Sequence, residues 1–149
     1  MKSLTLITSI LICLSFTALS VGKAEIIKII AGHPEIKYKD LAIAQFILET
    51  GNNKSKLAKH NNIFGIKYNR KFANGKIGSY ATYRSIHDCI SHYIFIQNYF
   101  SKKYNILTKK DYLWFLKKKY ATSSSYTKRV VKIASKYKID TANVSSHTL

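Results

Sequence analysis

The chain has 149 residues, with 25 lysines and arginines against 7 acidic residues, one proline and two cysteines. That length, with no internal repeat and no Gly/Pro/Ser-rich linker, suits one domain around one core and excludes two. A net charge of +18 concentrates the protein on polyanions, and the absence of any HExxH, CxxC, Walker or dinucleotide fingerprint leads us to expect no metal and no cofactor.

The chain opens on a short basic head, Met1-Lys2-Ser3, followed by an apolar run from Leu4 to Val21 with scattered Ser and Thr. Residues 1–20 read as a secretory signal peptide, with Ala18-Leu19-Ser20 as a small-x-small cleavage site, so the protein is expected to be exported to the periplasm, cell wall or medium. An uncleaved anchor is the alternative, because about 18 apolar residues just span a bilayer. Cys13 leaves with the leader, so Cys89 has no partner for an internal disulfide. The mature part divides into a domain over residues 24–140 and a tail over 141–149.

Ala24 to Ala31 is predicted to be a short helix that stops before Gly32 and Pro34. Lys39 to Thr50 follows as a central helix. Within it, Leu41 to Glu49 is apolar on every side except at Gln45 and Glu49, which stack on one face four residues apart. A helix that is apolar almost all round is a buried helix. Glu49 then lies near the helix C-terminus, ahead of a Gly51 cap, where the macrodipole and desolvation both disfavour the ionised form. A carboxylic acid held protonated near neutral pH is what a glycosidase uses to protonate its leaving group.

Lys54 to His60 is predicted as a second short helix. From Phe64 to Tyr83 the pattern loosens around Asn74-Gly75 and Gly78 between aromatic and β-branched residues, which suits a small β-hairpin. Ser85 to Phe100 returns to helical spacing with Ser85 as N-cap, and Cys89 falls among Ile86, Ile90, Tyr93 and Ile94 as a core residue. Thr108 to Tyr120 begins on a capping signal, and Tyr126 to Tyr137 closes the domain. The lysines at 102–103 and 117–119 read as solvated faces.

Three stretches carry a family resemblance. Ala44, Gln45, Leu48, Glu49, Thr50 and Gly51, then Ser55 and Asn61-Asn62-Ile63-Phe64-Gly65-Ile66-Lys67, are similar to an A-Q-x-x-L-E-[ST]-G helix followed by N-N-x-F-G-[IM]-K. Tyr80 to Ser85 resembles an aromatic-x-x-Tyr-x-Ser strand exit, and Leu116 to Tyr126 resembles an L-x-x-x-YAT-D-x-x-Y segment. In that order, over about residues 38 to 133, they resemble the bacterial glucosaminidase domains of autolysins and flagellar peptidoglycan hydrolases. The resemblance implies a mainly α, lysozyme-like α+β fold, a helical domain whose small β-hairpin flanks a glycan groove. It implies a peptidoglycan endo-β-N-acetylglucosaminidase with Glu49 as general acid. Gln45, Asn62, Phe64, Tyr83 and Tyr120 are the substrate-binding candidates.

Two departures from the family pattern matter. Many members carry a second acid in or near the hairpin, whereas residues 66–83 contain no Asp or Glu, and the family's usual Asp in the following helix falls on His92. Asp88 is the nearest remaining candidate for a second carboxylate, and it also fits a first-turn residue favoured by the helix dipole. Expected partners are peptidoglycan glycan strands and, through the positive charge, anionic wall or membrane polymers. No specific nucleic acid is expected, and the chain is read as a monomer. The alternatives are a catalytically silent cationic wall-binding module and a basic protein that binds membranes or nucleic acid.

Overall fold

The structure, a computed structural model, describes residues 21–120, 123 and 125–137. The signal-peptide segment 1–20 and the tail 141–149 lie outside the described residues, as do Ala121, Thr122 and Ser124 of the third motif. The described elements are helices α1 (Lys23–Gly32), α2 (Lys39–Thr50), α3 (Ile86–Lys103), α4 (Lys109–Phe115) and α5 (Tyr126–Ala134), with a two-stranded antiparallel sheet of β1 (Gly75–Ile77) and β2 (Tyr80–Thr82) between α2 and α3 in the chain. This is the mainly α, lysozyme-like α+β arrangement expected from the sequence.

The central helix is central in fact. Ala42, Ile43, Phe46 and Ile47 of α2 pack into a core with Ile26 and Ile30 of α1, Cys89, Ile90 and Tyr93 of α3, and the loop residues Ile63, Phe64 and Ile66. Leu41 and Ala44, on the other side of the same helix, pack with Tyr112 and Phe115 of α4 and Val130 and Ala134 of α5. Both flanks of α2 are thus removed from water, which is why its sequence lacks the polar stripe of a surface helix. The helix ends where Gly51 takes a left-handed conformation, φ 56°, and its N–H donates to Ile47 O.

Elsewhere the capping signals act as expected. Ser85 Oγ accepts from the Asp88 N–H at 3.1 Å at the start of α3, and Thr108 and Asp111 form a reciprocal capping box at the start of α4. Two predicted helices differ. Residues 54–57 form turns, and only Ala58–His60 makes a 3-10 turn, because Asn52, Asn53 and Asn61 take left-handed φ angles on either side and break the helical path. The helix predicted to run to Tyr120 is α-helical only to Phe115, after which Leu116–Tyr120 widens into a π-helical turn.

The hairpin pairs Gly75 with Thr82, Lys76 with Ala81 and Ile77 with Tyr80, and it turns through Gly78, φ 57°, and Ser79. It is fastened to the 62–66 loop by Asn62, which is fully buried. The Asn62 side-chain amide donates to the carbonyls of Ile66 and Ala81, and its Oδ1 accepts from the Ile66 N–H, each at 2.9 Å. One side chain therefore ties the loop after the short turn to strand β2. Asn62→Ala leaves three buried backbone groups without these partners, and the expected cost is about 2–4 kcal/mol. Urea unfolding checks this as a lower midpoint at unchanged slope, and a midpoint equal to wild type would show that the loop is held by other contacts.

Candidate active site

Glu49 sits on the last turn of α2, half-buried, and is the one residue that α2 contributes to a cleft of about 870 Å³. That volume is within the roughly 300–1,000 Å³ of ligand sites. The cleft is lined by the 65–69 segment with Tyr80, by one face of α3 including His92, Phe95 and Tyr99, and by Phe115, Lys119, Tyr120 and Tyr126 around the α4–α5 junction. The hairpin flanks the cleft through Tyr80, as expected, and α3 supplies a further surface along it.

The Glu49 carboxyl is held at one oxygen and closely approached at the other. Tyr126, the first residue of α5, donates its hydroxyl to Oε1 at 2.9 Å. On the other side is Gly65, φ 62°, where a Cβ would fall 2.8 Å from Oε2. Only a residue without a side chain fits there, in backbone that favours glycine in any case. The N-N-x-F-G loop thus delivers a bare backbone to the acid.

A line of hydrogen bonds runs inward from Tyr126. Gln45 Nε2 donates to the Tyr126 hydroxyl at 3.4 Å, and Gln45 Oε1 accepts from Tyr93 at 2.9 Å and from Tyr112 at 3.2 Å. Because the Tyr126 oxygen receives the Gln45 amide, its own proton is directed to Glu49 Oε1. A carboxylic acid proton at Glu49 is then left on Oε2, the oxygen facing Gly65.

Burial raises the Glu49 pKa above the ordinary carboxylate value. The Tyr126 hydrogen bond and the positive charges of Arg129 and Lys67 act in the opposite direction and are together the smaller effect. The result is the perturbation expected of a general acid.

The other sequence candidates fall into two groups. Tyr120 lines the cleft beside Tyr126, with ring centroids 5.7 Å apart, and burial raises its pKa further above the phenol value. Gln45, Asn62, Phe64 and Tyr83 are all at most 4% exposed. Gln45 and Asn62 spend their polar atoms on protein partners, and Phe64 stacks on Tyr93 at 3.9 Å. Tyr83 bonds His92 Nδ1 at 2.7 Å. These four hold the site's shape from behind it. Asp88 is placed elsewhere: it pairs with Arg84 at 3.5 Å and lines a separate small pocket with Lys71, Phe72 and Asn74. Among the described residues, Glu49 is the only carboxylate that lines the main cleft.

Tyr126 and Gly65 were named in the sequence only as parts of motifs. The signal was present, since Tyr126 is the last aromatic of the third motif and Gly65 follows Phe64 in the first. Periodicity carries no information about a contact between residues 77 positions apart. Cys89, fully buried, has its thiol pushed up to about 12 by burial, which keeps it protonated and unreactive in the core.

The model of one protein family, described as mannosyl-glycoprotein endo-beta-N-acetylglucosaminidase, matches residues 26–139. No curated protein and no solved structure matches the chain.

The tyrosine contact sets the direction of a titration. Tyr126→Phe removes a donor that favours the carboxylate, so the Glu49 pKa is expected to move further up, readable as the side-chain carboxyl carbon shift across pH by NMR. A pKa that stays in place or moves down would show that Tyr126 does not donate to Glu49.

Proposed function

This chain belongs to the glucosaminidase family of glycoside hydrolases, and on that premise we propose that it is an exported peptidoglycan hydrolase that cuts the glycan strand after N-acetylglucosamine. The observation that carries the proposal is Glu49: the lone carboxylate of the cleft among the described residues, raised in pKa by burial, and held by Tyr126 on one oxygen with the other facing Gly65. Export is part of the proposal and rests on the leader-like residues 1–20.

In this reading the glycan lies along the cleft with a glycosidic oxygen at Glu49 Oε2. Glu49 donates its proton to that oxygen as the C1–O bond breaks. Because no second carboxylate lines the cleft among the described residues, the substrate's own 2-acetamido oxygen closes on C1 and forms an oxazolinium ion, as in other substrate-assisted hexosaminidases. The leaving alcohol departs with the proton. Glu49, now a carboxylate, takes a proton from water as the water oxygen attacks C1, which opens the ring and returns the acid to its starting form. Burial suits this cycle, since it favours the protonated acid, and the positive charges of Lys67 and Arg129 limit the cost of the transient carboxylate.

The test is mass spectrometry of soluble fragments released from purified peptidoglycan by wild type and by Glu49→Gln. Wild type is expected to release fragments ending in reducing N-acetylglucosamine, and Glu49→Gln none. Muramic acid at the new end would place the cut at the other bond, and no fragments from either protein would favour a silent wall-binding module. The rate is expected to fall as pH rises through the raised Glu49 pKa, because the acid form is the reactive one. Lys67→Met removes a charge that favours the carboxylate and moves that limb to higher pH.

The acetamido step has its own test. Peptidoglycan de-N-acetylated at its glucosamine residues is expected to resist cleavage while the acetylated polymer is cut. Equal cleavage of both polymers would instead mean that water attacks C1 directly.

A further inference from the structure

The lysines after α4 look like a solvated face in the sequence, but the structure puts a tryptophan among them. Tyr112, Phe115 and Leu116 are the buried side of the segment that starts with α4. Away from them are Lys110 and Trp114, four residues apart on α4, and Lys117 and Lys118 on the π-helical turn that follows, all exposed. Trp114 is 49% exposed and makes no ring contact with another aromatic among the described residues, and Leu107, just ahead of the helix, is 76% exposed. Leu107 is tied to the helix start, because its N–H donates to Asp111 Oδ2 at 3.2 Å.

The charges on this face are unbalanced. Asp111 is the only acid between residues 101 and 120, and its Oδ2 is occupied by the N–H groups of Leu107 and Thr108 and the Thr108 hydroxyl. Asp40 pairs with Lys109. Lys110, Lys117 and Lys118 have no acidic partner among the described residues. A hydrophilic polyanion would match the lysines but leave Leu107 and Trp114 in water. An anionic bilayer matches both, taking the two apolar side chains into its interfacial region and the ammonium groups among its headgroups.

We propose that the face formed by Leu107, Lys110, Trp114, Lys117 and Lys118 docks on the surface of an anionic lipid bilayer. No helix among the described residues is long and apolar enough to cross a membrane, so the contact is interfacial. Phe115, Lys119 and Tyr120 of the same segment line the cleft, so docking through its outer side holds the cleft beside the lipid surface. The proposal does not depend on the hydrolytic reading, since it uses no residue of the Glu49 site.

The chain contains a single tryptophan, so its fluorescence reports on this face alone. The full chain is titrated with vesicles of phosphatidylglycerol and phosphatidylethanolamine, with phosphatidylcholine vesicles, and with soluble polyphosphate. Anionic vesicles are expected to shift the emission to the blue and protect it from acrylamide, while neutral vesicles and polyphosphate leave it in place. Reversing two lysines, Lys110→Glu with Lys118→Glu, is expected to weaken partitioning by about tenfold or more. Leu107→Asp, outside the helix and harmless to its fold, is expected to weaken it as well while far-UV circular dichroism stays unchanged. Vesicle binding without a tryptophan shift would place the contact on another surface and overturn the proposal. An equal shift with polyphosphate would replace the bilayer with a soluble polymer, and no binding at all would remove the interface.

Discussion

The structure depends on partly burying one carboxyl group at the end of a helix that has almost no solvent face. Glu49 is raised in pKa because α2 is buried between two halves of the core, one built with α1, α3 and the 62–66 loop and the other with α4 and α5. Desolvation of this kind destabilises the ionised form whatever the sequence around it, so the neighbouring elements have to offer the acid compensation that stops short of neutralising the effect. Tyr126 and Arg129 of α5 and Lys67 supply it, as one phenol and two cations that form no direct ion pair with the acid. A lysine or arginine in contact would have lowered the pKa and removed the proton a general acid needs.

That compensation is itself anchored in the core. The Tyr126 hydroxyl is aimed by Gln45, and Gln45 is clamped by Tyr93 and Tyr112 from two further helices, so α2, α3, α4 and α5 all meet at one amide. Buried polar networks of this sort are favourable only when every member is satisfied, and here each hydroxyl has a partner. The opposite edge of the site is fixed by Asn62, which welds the loop bearing Gly65 to strand β2. Geometry at Glu49 is thus set from two directions through Gln45 and Asn62, which do not line the cleft themselves.

Much of this was legible in the sequence, and the parts that were not share a cause. The apolar run of α2, the Gly51 stop, the Ser85 and Thr108 caps and the hairpin before Tyr83 are local features, each determined by a few neighbouring residues. The raised acid at Glu49 also followed locally, from burial and helix position. What escaped was long-range: that Gln45 and Asn62 face protein rather than sugar, that Tyr126 is the partner of Glu49, and that Asp88 turns to Arg84 outside the cleft. The helix predicted over 54–60 failed for a local reason that composition hides, since three asparagines adopt left-handed angles that the residue type permits without requiring.

The histidine at the position where the family's usual aspartate stands follows the same electrostatic logic. His92 is buried, stacks on Phe72 at 4.3 Å, and has its pKa lowered by burial, so it is neutral at physiological pH. Its Nδ1 shares a hydrogen bond with the Tyr83 hydroxyl, in which either partner can donate according to the tautomer of the ring. An aspartate in that place could accept from Tyr83, but as a buried anion on the lining of the cleft that holds Glu49. Histidine satisfies the phenol without adding negative charge. The raised Glu49 pKa therefore owes nothing to a neighbouring carboxylate: desolvation alone raises it, and every nearby charge acts to lower it. Among the described residues the cleft thus holds one carboxyl whose proton is governed by water exclusion, which is compatible with the acetamido-assisted cleavage proposed for it.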